Sequence, residues 1–308
     1  MQRFLLQRGG QALVAVFGVV TLVFFIQRLT GDPVLLLVPE TATEQDIEAM
    51  RVSLGLDRPM IVQYLEFLYD MLRFDLGRSF VQNAPVWDIL VSRIPYTLQL
   101  AAGALAVALL IGLPLGLVMA LTRGRAVSRL IMGMVLAFQS LPTFWSGIMM
   151  ILVFGVWLKW LPPSGTGTLA HLVMPSIALG LLSLATYARI ARASVIDELG
   201  KDYVRSARAR GVGTGRLVRW HLLRNSSIPI ISITALETSQ LLAGAVIVET
   251  VFAWPGLGLL TVQSIAARDF MVVQAVVLLG AFVTIAANLS ADILYSVVDP
   301  RVRLTDKA

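Results

Sequence analysis

The chain has 308 residues, of which 57% are hydrophobic and only 14% charged; its mean hydropathy is +0.78 and its net charge +6. A soluble globular domain carries roughly 25% charged residues, so the composition excludes that class and indicates an integral membrane protein. Nucleic-acid binding is not expected, because the arginines flank apolar runs instead of forming a basic patch on a soluble fold. No cysteine is present, which excludes disulfides, thiol catalysis and cysteine metal sites. The two histidines, His171 and His221, stand at opposite ends of one apolar span and cannot share a metal. No cofactor is expected.

A bilayer core takes about 20 apolar residues as a helix. Six stretches qualify in chain order: 9–28, 96–121, 130–157, 172–191, 229–251 and 271–296. The first follows Arg3 and Arg8 as a signal peptide would, but it runs on to Ile26 and ends in Gln27-Arg28 with no small-residue cleavage pattern. It reads as a retained anchor. Segment 29–95 is polar and acidic. It predicts a short helix near 43–54, a turn at Gly55-Leu-Asp-Arg-Pro59 and an amphipathic helix near 60–73, with Ile61, Tyr64, Leu65, Leu68 and Leu72 at helical spacing. Asp75-Leu-Gly-Arg-Ser79 breaks that helix. This insert is either a cap packed on the membrane domain or a dock for an outside partner, and the two are compatible.

Lysine and arginine set the orientation. With the N-terminus inside, the inner segments hold Arg3 and Arg8, then Arg123, Arg125 and Arg129, then nine basic residues from Arg189 to Arg224, then Arg301, Arg303 and Lys307. The two short outer loops hold only Lys159 and Arg268. Both termini are therefore expected in the cytoplasm and segment 29–95 outside.

Several spans carry polar groups. Gly112-x-x-x-Gly116 permits close helix approach. Gln139, Ser140 and Thr143 surround Pro142, which loosens its helix. Glu237, Thr238 and Gln240 lie in the fifth span. These six polar residues are candidates for lining a pathway; ordinary interhelical hydrogen bonding is the competing reading. Glu249 and Asp292 sit near opposite ends of their spans, where water reaches them, and read as structural. No acid stands at a midplane with a basic partner, which argues against a proton-coupled carrier.

An uphill pathway needs energy, and the chain has no phosphate-binding loop: Gly200-Lys201 is followed by Asp202. Gly211-Val-Gly-Thr-Gly215 follows a basic helix and reads as a helix stop and turn. Another chain must supply the energy. A self-sufficient channel or carrier would instead conduct alone, and a membrane enzyme would need an acid–base or metal constellation that the sequence lacks.

The basic insert between spans four and five is the most distinctive stretch. Helix formers over 193–210, the Gly211–Gly215 turn and a short helix over 216–224 make a helix–turn–helix that would plug a partner's groove. Lipid headgroups are the competing ligand for its arginines. The insert resembles the Glu-Ala-Ala loop of ABC-importer permeases. Arg205-Ser206-Ala207 and Gly211 stand at the diagnostic positions, with only Ala207 and Gly211 matching and Pro229 displaced by five residues. These departures resemble the di/oligopeptide subgroup, as do Gly31-Asp-Pro33, Pro142-Thr-Phe-Trp-Ser-Gly147, Gly244-Ala-Val-Ile-Val-Glu249, Phe252-Ala-Trp-Pro-Gly-Leu-Gly258 and Asp299-Pro-Arg301.

The resemblance implies an all-α membrane protein of the type I importer-permease fold, with six transmembrane helices and a helical periplasmic insert. Its parts would be a tail and first helix over 1–28, the insert over 29–95, a five-helix domain over 96–296 with a cytoplasmic coupling segment over 193–228, and a tail over 297–308. It further implies a bacterial inner-membrane location, a second related permease, two ATP-binding subunits and a periplasmic or lipoprotein substrate-binding protein. The chain itself would be non-catalytic. Arg205, Ser206, Ala207, Arg208, Arg210, Gly211 and Gly213 would engage the ATPase. Peptides would be the solute; nickel, glutathione, opines and oligosaccharides are carried by relatives in the same subgroup.

Overall fold

The computed structural model describes residues 2–29, 34, 43–53, 55–79, 81–218 and 222–298. Gly31-Asp-Pro33, His221, Asp299-Pro-Arg301 and the tail from 299 onward lie outside these, as does the side chain of Asp292. The chain divides into two compact units: Met1–Pro95 with Gly256–Ala286, and Tyr96–Pro255 with Ala287–Ala308.

The first unit opens with α1 (Gln2–Leu29), α2 (Glu44–Ser53) and α3 (Met60–Leu72). Thr43 starts α2 by a reciprocal cap: its hydroxyl donates to Asp46 Oδ2 at 2.7 Å, and the Asp46 N–H donates back to Thr43 Oγ1 at 3.3 Å. The Thr43 hydroxyl and, at 3.0 Å, the Thr43 main-chain N–H both donate to Asp46 Oδ2 and hold the Asp46 carboxyl below its ordinary value. A hairpin follows, β1 (Arg78–Ser79) antiparallel to β2 (Ala84–Pro85), with Arg78 opposite Pro85. It runs into α4 (Val86–Leu121), ten residues earlier than the apolar run suggested. The polar Asp88 and Arg93 hid that start from hydropathy, although both are compatible with a helix.

The second unit holds the rest of α4, then α5 (Ala126–Gln139), α6 (Thr143–Met150) widening into a π-helical coil over Ile151–Trp157, α7 (Leu169–Leu199), α8 (Asp202–Ala209), α9 (Thr214–Leu217) and α10 (Leu223–Val251). Helices α11 (Leu257–Ala266) and α12 (Phe270–Val298) are the last described elements. No strand is expected from the sequence, and among the described residues the β1–β2 hairpin departs from an all-helical reading. The apolar part of α10 begins at Pro229, where the sequence places the entry to the fifth span, and the helix itself begins six residues earlier at Leu223. A membrane helix tolerates proline where neighbours satisfy the freed carbonyl.

Among the described residues four helices are long and apolar enough to cross a membrane: Arg8–Ile26 of α1, α4, α7 and Phe270–Ser290 of α12. Two further pairs pass only together, α5 with α6 and its π coil, bent by 97°, and the two parts of α10, bent by 49°. By length and composition the described residues thus hold four spans, or up to six if each bent pair is one span. The bend at Pro142 is sharper than a kink. Pro142 (ψ 136°) leaves the helical region and α6 starts anew after it.

Helices α4 and α7 meet along a seam of small residues. A Cβ on Gly112 would stand 3.0 Å from the Leu184 carbonyl oxygen, and one on Gly116 only 2.6 Å from both the Ala188 oxygen and the Ala191 Cβ. On the facing helix, a Cβ on Gly180 would stand 2.7 Å from the Ala104 oxygen. Lipid tails are as apolar as leucine, so van der Waals packing of this kind holds membrane helices together. Next to the seam, Leu100, Met174, Leu179, Leu241 and Phe252 form the main core of this unit.

Candidate functional site

The seam ends at a small cluster that carries the basic insert. Ala120 of α4, Val195 of α7, Val204 and Ala207 of α8, Leu217 and Leu222 are buried together, with Leu199, Tyr203 and Val212 packed beside them. Helix α8 is thus fixed by one apolar face. Its other residues are left outside: Arg205, Ser206, Arg208, Arg210, Gly211 and Gly213 are all exposed, and only Ala207 among the seven named positions is buried. Asp202 in its first turn and Arg208 in its last complement the helix dipole. Arg205 lies 3.5 Å from Asp202, an exposed pair of little energetic weight. The 193–210 stretch is two helices rather than one, since α7 stops at Leu199 and α8 starts at Asp202.

The C-terminus of α8 is closed by a Schellman turn. The Gly211 N–H donates to the Arg208 carbonyl at 2.9 Å and the Val212 N–H to the Ala207 carbonyl at 3.1 Å. Gly211 has φ +78°, and a Cβ there would meet nothing within 4 Å. The glycine serves the backbone angle, and the space beside it is open.

The N-terminal side is held by a carboxylate that the sequence reading missed. Glu198, 7% exposed at the end of α7, accepts from the Lys201 ammonium and, at 2.7 Å, from the Tyr203 hydroxyl. The Glu198 bond raises the Lys201 ammonium above its ordinary value. The i, i+3 spacing of Glu198 and Lys201 is visible in the sequence; the return of Tyr203 across the α7–α8 corner is not.

The polar residues of the spans fall in two groups. Ser140 is exposed and its hydroxyl donates to the Leu136 carbonyl at 2.9 Å, while Gln139 and Thr143 are half-buried at the α5–α6 break. In α10, Glu237 is buried at 5% exposure, Thr238 donates to the Thr234 carbonyl at 2.7 Å, and Gln240 is exposed. The Tyr187 hydroxyl of α7 donates to Thr234 Oγ1 at 3.1 Å, one turn before Thr238. Among the described residues no hydrogen bond joins the 139–143 group to the 237–240 group.

Glu249 differs from expectation. Its place near the end of its span predicts access to water, but it is fully buried and accepts from the Thr97 hydroxyl at 2.7 Å. The chain folds back after α10 and closes this end. Trp254 Nε1 donates to the Tyr96 carbonyl at 2.8 Å, and the Gly165 N–H to the Phe252 carbonyl at 3.0 Å. Among the described residues no group of three or more His, Asp or Glu could hold a metal ion.

Two family models match the chain in order. Residues 1–101 match the N-terminal model of the binding-protein-dependent transport system membrane component, and residues 112–304 match the inner membrane component itself. The dipeptide transport system permease protein DppB of Escherichia coli (strain K12) is 35% identical, the alignment covering 98% of this chain and 99% of that one. The glutathione transport system permease protein GsiC of Escherichia coli O6:H1 is 39% identical over the same shares of the two chains. Among solved structures, two inward-facing crystal forms of the MetNI methionine ABC transporter match with TM-scores of 0.55 and 0.58. They are 21% and 20% identical, and each match covers 68% of this chain and 96% of that one, which places the two in one fold. The chain therefore belongs to the family of binding-protein-dependent transport system inner membrane components, the multi-pass membrane subunits of ABC importers.

Proposed function

We propose that this chain forms half of the translocation pathway of an ATP-driven importer for short peptides, and that α8 transmits the ATPase cycle to it. The observation that carries the coupling role is the construction of α8. One face is buried against α4 and α7, both ends are fixed, and the arginine-bearing face is left for a partner. An acidic groove on an ATP-binding subunit is the natural complement. A second, related permease would complete the pathway, two ATP-binding subunits would sit on the α8 side, and a substrate-binding protein would deliver solute from the other. Residues Gln139, Ser140, Thr143, Glu237, Thr238 and Gln240 are the proposed polar lining, and both termini are proposed to be cytoplasmic. The chain performs no chemistry in this scheme.

The solute class rests on the full-length similarity to permeases for dipeptides and for glutathione, itself a tripeptide. Affinity purification of the tagged chain from its native membrane in mild detergent tests the assembly. Recovery of a related permease with phosphate-loop ATPases supports it, and the ligand carried by the partner binding protein names the solute. Recovery of the chain alone, in a preparation that preserves other membrane complexes, would overturn it in favour of a self-sufficient pore.

A further inference from the structure

Helix α3 carries more apolar surface than its packing uses. Tyr64, Phe67, Leu68 and Met71 face α1, where Tyr64 and Thr21 share a hydroxyl hydrogen bond of 2.6 Å and the Phe24 ring lies 5.1 Å from Tyr64 and 5.5 Å from Phe67. About a quarter-turn away, at roughly 100° per residue, runs a second stripe of Ile61, Leu65, Tyr69 and Leu72. These are 74%, 58%, 52% and 81% exposed. Gln63, Glu66 and Asp70 occupy the remaining arc.

The position of α3 decides what covers the bare stripe. The apolar span of α1 is Arg8–Ile26, and α3 packs on Thr21 and Phe24 within it. At a rise of about 1.5 Å per residue these residues lie roughly 8 and 3 Å inside the end of the span. A helix seated there is at the edge of the hydrocarbon, and α1 itself exposes the apolar Phe17, Leu22 and Phe25 over this stretch. The polar groups fit the same placement. Arg73 lies over the Tyr69 ring at 4.3 Å, a side chain that reaches past apolar surface towards water. Half-exposed Trp87, with Phe74 at 6.1 Å, supplies the aromatic pair that favours a membrane interface.

We infer that α3 is an interfacial helix: it lies in the leaflet at the C-terminal end of α1, with Ile61, Leu65, Tyr69 and Leu72 among lipid acyl chains and Glu66 and Asp70 towards water. The absence of native cysteine allows a direct test. Nitroxides are attached to Leu65→Cys, Ile61→Cys, Glu66→Cys and, as reference, Phe17→Cys in the assembled importer, reconstituted in phosphatidylcholine and phosphatidylglycerol bilayers. Collision with oxygen and with a soluble nickel chelate is then compared. Oxygen should exceed nickel several-fold at 61, 65 and 17, with the reverse at 66. Equal nickel access at 65 and 66 would overturn the proposal, and so would a label at 65 shielded from both, which would mean a protein partner. A nickel-accessible label at 17 would overturn it differently, by removing α1 from the bilayer. The unsubstituted chain gives a second reading. A photoactivatable acyl probe should label segment 60–72, and labelling of α1 without that segment would reject the placement.

Discussion

The main-chain N–H of Val212 reaches back to the carbonyl of Ala207 at 3.1 Å, and both side chains lie in the cluster that seats α8 on α4 and α7. Hydrogen bond and apolar contact close the same turn, as a Schellman motif requires. The left-handed Gly211 between them is what allows it.

Replacement of Gly211 separates the turn from the surface. Gly211→Ala should cost about 1 kcal/mol through the backbone angle and leave most ATPase recovery intact. Gly211→Asp has the same strain and adds an anion in the open space beside the arginines, so ATPase co-purification and transport should be lost while the chain still inserts. Pull-down of the ATP-binding subunits with each tagged variant checks this; full recovery with Gly211→Asp would reject α8 as the docking element.

Glu198 should matter through position. Glu198→Ala removes the acceptor of both Lys201 and Tyr203 and should lower transport several-fold with membrane insertion unchanged, whereas Glu198→Gln keeps an acceptor and should retain more. The contact raises the Lys201 ammonium above its ordinary value of 10.5, so its contribution is complete below that value and fades only as pH climbs through the higher folded value. The thermal-midpoint difference between wild type and Glu198→Gln should therefore be flat between about pH 6 and 9. A slope in that window would show that another group controls the corner.

The seam gives a paired stability test. Gly116→Ala places a methyl 2.6 Å from the Ala188 oxygen and should cost about 1–3 kcal/mol by overpacking. Gly133→Ala meets nothing within 4 Å and should be neutral or slightly stabilising. Thermal unfolding of the purified complex in one detergent compares them, and equal midpoints would dismiss the seam as a tight contact.

Thr97 and Glu249 form a buried pair suited to a double-mutant cycle. Thr97→Val should cost about 1–3 kcal/mol, because it leaves a fully buried carboxyl one donor short. Combined with Glu249→Leu the losses should be non-additive by about 1 kcal/mol. Strict additivity in thermal or denaturant unfolding would show that the bond carries no weight.

Local features were legible in the sequence and returns of the chain were not. The four-residue spacing of Gly112 and Gly116 announced a close helix contact, and Gly211 after a basic helix announced a turn, because each depends on neighbours a few positions away. Helix α3 was readable from the spacing of Ile61, Tyr64, Leu65, Leu68 and Leu72. That only Tyr64 and Leu68 of these five face α1 was not, since both stripes are equally apolar. The burial of Glu249 depends on Trp254 and Gly165 folding back at its end of the helix, and the role of Glu198 on Tyr203 returning from the next helix. Pro142 signalled a disturbance, but a proline alone does not distinguish a kink from a 97° break.

The contacts at Gly112, Gly116 and Gly180 bring backbone against backbone, with no long side chains between them to absorb displacement. Flexible side chains at a helix contact act as a cushion, whereas main chains pressed together leave little play. Force delivered to α8 at the foot of α7 would thus reach the membrane-buried part of α4 with little loss, and the pair would tilt as a single stiff lever.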